Sequence, residues 1–176
     1  MNLRQALKSD LQPEHDRVDE RMGALDLTNR ADLGRFLQVH FSTWSALDAV
    51  GDEARHALET RVSSLDKDLA TLGVPARPLP KITVHDHSIL YMAYGSKMGT
   101  AVLRKRWLRA TDPTVRLAQE FLTLPDDHHA WNRLCSTLAK EQSDTENAKT
   151  VLAGVRTIYA LFSKSMASVG GEYFSQ

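Results

Sequence analysis

Leu90-Tyr91-Met92-Ala93-Tyr94-Gly95-Ser96-Lys97-Met98-Gly99-Thr100-Ala101-Val102-Leu103 is the stretch on which the reading of this chain turns. It is apolar and patterned as helix, yet it carries two glycines four residues apart. Each glycine in a helix interior costs roughly 0.5–1 kcal/mol relative to alanine. Residues i and i+4 share a face. In one continuous helix, Gly95 and Gly99 therefore bare a strip of backbone. Such a strip serves either a close helix–helix contact or a flat ligand pressed against the main chain.

The sequence around this stretch is also helical in pattern. Leu33, Phe36, Leu37, His40, Trp44 and Leu47 follow the 3, 4, 7 spacing of one helix face, and so do Val151, Val155, Ile158, Tyr159 and Phe162. Ser143-Asp144-Thr145-Glu146 reads as a capping-box start for the last helix, with a stop at Gly170-Gly171. Asp112-Pro113 reads as an N-cap followed by proline at the first helical position. Residues 72–80, with three prolines, form the clearest loop. With no alternating strand pattern and no repeat, residues 1–176 predict a single all-α domain, a bundle of about seven helices.

Composition narrows the function. At 176 residues the chain can bury a real core, and 22 basic residues balance 22 acidic ones, which gives no global pull toward nucleic acid or an anionic membrane. Cys135 is the sole cysteine, so an internal disulfide framework and a four-cysteine zinc site are excluded. The first residues lack the apolar core of a signal peptide, and no run of about 18 apolar residues appears. The expectation is a soluble protein of a reducing compartment, the cytoplasm.

Near the N-terminus, Leu3, Leu7, Leu11, Val18 and Met22 predict an amphipathic first helix. It carries His15 among Glu14, Asp16, Arg17 and Asp19. Lys8, seven residues earlier, would lie about 10 Å along the axis on roughly the same face, with Pro13 a potential kink between them. A histidine and a cation two turns apart suit an iron porphyrin with acidic propionates, although a lone histidine among charges also reads as a solvated surface residue.

Together these segments resemble a family. His15-Asp16-Arg17-Val18-Asp19 resembles the proximal-histidine helix of heme oxygenases, where a valine or leucine follows the histidine by three residues and an acid comes next. Residues 91–99 resemble their distal helix, closest to the bacterial branch associated with phytochromes or iron acquisition. Val155-Arg156-Thr157-Ile158-Tyr159 is similar to that family's late helix. The segments occur in the family's order and span nearly the whole chain.

The resemblance implies a heme oxygenase-like fold with heme, at once cofactor and substrate, between proximal and distal helices. His15 would be the axial iron ligand, and Gly95 and Gly99 would let the distal backbone approach the macrocycle. Ser96 stands where animal members carry an aspartate and would order distal water without titrating. Lys8, Tyr91 and Arg133 would hold the propionates. The implied reaction cleaves heme with oxygen and reductant to biliverdin, carbon monoxide and ferrous iron. Implied partners are an electron donor such as ferredoxin or a reductase, and a bilin acceptor such as a phytochrome. Neither nucleic acid nor membrane is among them.

Two departures stand out: Tyr94 replaces the usual glutamate, and Thr100 replaces the second glycine of a pair. They keep open a non-catalytic heme carrier or sensor on the same scaffold. A third alternative, a thiamin-related enzyme of TENA type, needs a catalytic cysteine in the bundle pocket, and Cys135 has no obvious claim to that place. Elsewhere, His85-Asp86-His87 and Asp126-Asp127-His128-His129 suit either a divalent metal or helix caps at Asp86, Ser88 or Asp127. His40 reads as a core histidine, and Trp44, Trp107 and Trp131 as core anchors. Cys135 reads as a small buried hydrophobe. Arg104-Lys105-Arg106-Trp107 reads as a basic helix C-terminus, with a docking patch for an electron donor as its second use.

Overall fold

Proline and local backbone breaks divide the predicted helical pattern more finely than its periodicity does. A computed structural model describes residues 1–170, and of residues 97–99 the backbone alone. Among the described residues there are nine α-helices: α1 (Leu3–Asp10), α2 (Gln12–Gly23), α3 (Arg30–Ser45), α4 (Asp52–Leu72), α5 (Asp86–Gly95), α6 (Lys97–Trp107), α7 (Pro113–Leu117), α8 (His128–Lys140) and α9 (Glu146–Gly170). Both helices beyond the expected seven come from splits. Pro13 at the start of α2 ends the first helix at Asp10, with Leu11 at φ −109°, ψ 6° between the two. The glycine-bearing helix divides at Ser96. The protein is all-α apart from β1 (Leu47–Asp48) and β2 (Ile82–Thr83), two-residue strands paired in parallel. Leu47 thus leaves the α3 stripe for β1, where it remains buried.

The caps follow side-chain chemistry. Asn2 and Gln5 form a reciprocal capping box at α1. Asp112 Oδ1 accepts from Thr114 N–H at 2.8 Å, with Pro113 opening α7 as predicted. At α9 the cap is Thr145, whose hydroxyl accepts from Ala148 N–H at 3.0 Å, rather than Ser143. Gly73, at φ 69°, ends α4 in the left-handed conformation that favours glycine. The predicted loop follows it. Gly171 lies outside the described residues.

At 25 residues, α9 runs about 37 Å and receives α3, α5, α2 and α1 along its length. Helix α3 also packs on α4, and α5 is held by α9, α4 and α8. The core centres on Trp44, 1% exposed, with Phe36, Leu37, Val155, Ile158 and Phe162 around it. His40 sits among the rings of Phe36, Phe121 and Phe162, at centroid distances of 4.5, 4.9 and 5.2 Å. Its Nδ1 accepts from Trp44 Nε1 at 3.3 Å, and burial pushes its pKa down to about 3, with the Arg61 cation adding to the shift. It is the core histidine the pattern predicts.

The contact between α5 and α9 is unusually close. Ser88 Oγ donates to Val151 O at 2.8 Å, and it can do so because Gly154 lies opposite. A Cβ on Gly154 would overlap Ser88 Oγ and come within 2.9 Å of Ser88 Cβ. Asp68, fully buried, ties α4 to the chain after α7 by accepting from Glu120 N–H and Phe121 N–H at 2.9 Å each. Burial raises its pKa, and these two hydrogen bonds oppose the rise.

Candidate functional site

The residues singled out in the sequence fall on five helices, α1, α2, α5, α6 and α8, with Ser96 at the α5–α6 junction, and the structure brings them only partly together. His15 lies in the second turn of α2 with half its side chain exposed. Its Nδ1 is 3.2 Å from Asp16 Oδ1, and its Nε2 is 3.6 Å from Asp19 Oδ2. Hydrogen bonds from His15 and Gln12 hold the Asp16 carboxyl below its ordinary pKa. A carboxylate on one ring nitrogen is the arrangement that orients a metal-binding imidazole. The imidazole is therefore oriented and reachable, with Asp19 the only group beside its second nitrogen among the described contacts.

Lys8 does not keep the predicted place. It sits exposed in the last turn of α1, on a different helix from His15, so their register along one face is lost. The cause is Pro13, which lacks the N–H to continue the helix.

The glycine pair is also separated. Gly95 is the last residue of α5 and Gly99 lies within α6, so the break at Ser96 removes the i, i+4 alignment. The surroundings of Gly99 lie outside the described residues, as do the side chains of Lys97 and Met98. Gly95 has a clear neighbour: a Cβ built there would stand 3.3 Å from Trp131 Cη2 and 3.4 Å from Cζ3. The flat object against this backbone is thus an indole from α8. Trp131 is half-buried and not the core anchor expected of it, whereas Trp44 and Trp107 are. Ser96 is exposed, its hydroxyl 3.4 Å from the Ala93 carbonyl it donates to.

The Ala93 carbonyl also receives a hydrogen bond from Arg61 Nη2. Arg61 is 7% exposed, donates from Nη1 to Ala57 O at 3.0 Å, and lies over the Trp44 ring at 5.5 Å. Burial lowers its pKa to about 10. A buried cation at the C-terminal carbonyls of α5 stabilises that helix end. Sequence reasoning missed it, because an arginine within a polar helix face carries no mark of burial.

Tyr91 and Tyr159 do come together. Tyr91 stacks on Trp131 at a tilted 5.7 Å, and burial raises its hydroxyl pKa, with the Cys135 thiol adding and Arg4 opposing. Tyr159, on α9, is raised by burial first and then by Tyr91, Asp19, Glu14 and Asp16. A single α9 side chain thus feels both α5 and the acidic face of α2. Arg156 on the same helix reaches Glu14 of α2, Nε to Oε1 at 3.6 Å.

Arg133 turns elsewhere. Its guanidinium is 4.0 Å from Glu53 of α4, and Glu53 Oε1 accepts from Tyr94 OH at 3.2 Å. Tyr94, the departure from the family pattern, is thereby engaged with α4. The role sketched for Arg133 as a propionate partner finds no support in this pairing.

The loop motifs are caps and ties. His85 caps α5, its Nδ1 accepting from His87 N–H at 3.1 Å, and Asp127 caps α8 through Ala130 N–H at 2.8 Å. Asp86, expected as a cap, instead accepts from Val50 N–H and Gly51 N–H at 3.0 and 2.8 Å. No cluster of three or more potential metal ligands occurs among the described residues. Cys135 is buried, and burial raises its thiol pKa, the wrong direction for a nucleophile.

Two hollows flank these helices without containing His15 or Gly95. One of about 640 Å³ lies along α8 between His129 and Lys140, with Arg133 in its wall. The other, about 710 Å³, lies between α3, β1 and α4 over Phe41, Trp44, Leu47, Leu58 and Val62. No helix among the described residues is long and apolar enough to cross a membrane. Compared with known proteins, the chain matches no family model, no curated protein and no solved structure. The likeness to heme oxygenases therefore stands on the residues quoted for it.

Proposed function

We propose that this protein binds heme and degrades it as a heme oxygenase, yielding biliverdin, carbon monoxide and ferrous iron. The observation that carries this reading is the oriented, half-exposed imidazole of His15 on a helix that shares α9 with the glycine-ended α5. His15 fits an axial ligand: Asp16 holds Nδ1, and the opposite nitrogen meets only a movable, exposed carboxylate at 3.6 Å. Tyr91 and Tyr159, close enough to act on one another, supply hydroxyls from α5 and α9, and Arg4 of α1 supplies a cation that acts on Tyr91. When bound, heme supplies the iron that activates oxygen for attack on its own ring. The chain's part is to orient His15, keep the site partly dry with Tyr91 and Trp131, and order water near the Ser96 hydroxyl.

A second reading is a heme carrier or sensor without turnover. Trp131 favours it, because an indole over Gly95 occupies the room a distal water and oxygen would need.

Heme titration followed by visible absorption tests both. Wild-type protein should develop a Soret band, and His15→Ala should shift that band or weaken binding by about tenfold or more. Decay of the band to a biliverdin spectrum with ascorbate or ferredoxin in air supports the enzyme. A persistent band supports the carrier. An unchanged spectrum in His15→Ala removes His15 from the site, and no Soret band in wild type sinks both readings.

A further inference from the structure

Between α3, β1 and α4 an apolar cavity and unspent charge meet. The cavity holds about 710 Å³, within the range of small-molecule sites. Its floor is Phe41, Trp44, Leu47 and Leu58, all buried in the core, with half-buried Val62 beside them. On α4 the lining residues Arg55, Leu58, Glu59, Val62 and Asp66 recur at helical spacing, so one face of that helix forms a wall. Glu59 and Asp66 stand two turns apart on it, about 10 Å, with Val62 between them. The rest of the wall comes from Asp48 of β1 and from Pro78 and Lys81, just before β2.

The polar groups left free in this cavity accept rather than donate. Asp48, Glu59 and Asp66 are exposed and have no hydrogen bond or ion pair among the described residues. Ser45, 8% exposed, donates to Ser42 O at 3.4 Å, which leaves its oxygen able to accept. The two cations are already engaged. Arg55 donates to Val50 O and to Asp52 Oδ1 at 2.8 Å each, and Lys81 Nζ donates to Leu47 O at 3.1 Å. With Asp52 balancing Arg55, three carboxylates stand against one ammonium. The occupant this lining favours is apolar in body, positive in charge and rich in hydrogen-bond donors.

We propose that this cavity binds a small organic cation, an amine whose ammonium group meets the carboxylates and whose apolar body covers Val62 and the floor. Burial of that body supplies affinity, and the charges supply orientation and selectivity. A bare metal ion fits poorly, because no cluster of three or more potential ligands occurs among the described residues. Heme fits poorly too, since its acidic propionates would meet like charge. The cavity contains none of His15, Tyr91 and Gly95, so this site stands or falls apart from the heme reading.

The probe is tryptamine, an apolar ring carrying an ammonium, titrated into the full chain by calorimetry. It should bind, and more weakly as ionic strength rises. Indolepropionate, the same ring with the opposite charge, and spermidine, a cation without a ring, should each bind about tenfold more weakly or worse. D48N/E59Q/D66N should weaken tryptamine binding by about tenfold or more, the sum of three partly solvated charge contacts. Val62→Trp fills the cavity without changing charge and should weaken binding likewise. A control, D10N/E20Q/D144N, removes three exposed carboxylates from other parts of the chain and should bind as wild type does. Helical circular dichroism confirms that each variant folds. Absence of wild-type binding, equal binding of indolepropionate, equal loss in the control, or full retention in either cavity variant overturns the proposal. So does wild type that binds the basic helical peptide melittin yet ignores tryptamine, which would give the groove to a protein segment.

Discussion

His40 and His15 lie in the same bundle and present opposite chemistry. His40 is enclosed by three phenyl rings, accepts one indole hydrogen bond, and is held neutral down to about pH 3. His15 stands half in solvent between two carboxylates. Around the first, a buried arginine donates to two backbone carbonyls and a tryptophan donates to the imidazole itself, so these polar groups are spent on holding the core. Around the second, side chains are oriented but uncommitted. The difference is one of surroundings rather than residue type, and it separates the part of the molecule that carries stability from the part free to carry function.

The sharpest way to break this division is Arg61→Ala. It removes the donors to Ala57 O and Ala93 O and uncovers the Trp44 ring. Urea denaturation should register a loss of about 3 kcal/mol, the range for breaking a buried charged hydrogen-bond set. A loss under about 1 kcal/mol would show that this region is not the rigid one.

Acid should act next. His40 has its folded pKa lowered from 6.5 to about 3, so below pH 6.5 the unfolded chain takes up a proton that the folded one refuses. Its contribution is therefore constant above pH 6.5 and declines as pH falls toward 3. The decline is on the order of 1 kcal/mol per pH unit. Denaturation at pH 7 and pH 5 should show it, and His40→Phe should flatten that part of the profile. An equal slope in the variant would assign it to other groups.

The smallest effect belongs to His15→Ala. Its exposed ring contributes little to folding, and stability should change by less than about 0.5 kcal/mol. A larger loss would mean that His15 serves the fold, narrowing the contrast on which the heme reading depends.

Much of the architecture was legible in the sequence because helix periodicity and caps are local signals. The α3 and α9 stripes, the Asp112-Pro113 start and the proline loop all rest on residues a few positions apart. The breaks were less legible. Pro13 marks its own, but the one at Ser96 has no proline, and the Ala93 carbonyl beside it accepts from Arg61, thirty-odd residues away in the chain. The candidate site suffered most, since it is defined by how separate helices face one another. Lys8 and His15, or Gly95 and Gly99, share a face only while one helix holds both. Trp131 over Gly95 and Tyr159 beside α2 have no sequence mark at all, because packing partners are chosen by the tertiary fold.

The contact between Ser88 and Gly154 means that position 154 cannot gain a side chain until position 88 has lost its own. Any side chain at 154 would collide with the β-carbon at 88 as well as with its hydroxyl, so alanine at 88 offers no relief. A descendant that keeps this helix spacing must have glycine at one position or the other. That exclusion rule, read across a set of diverged sequences, would mark those that keep α5 and α9 at this separation even after their surface residues have ceased to resemble one another.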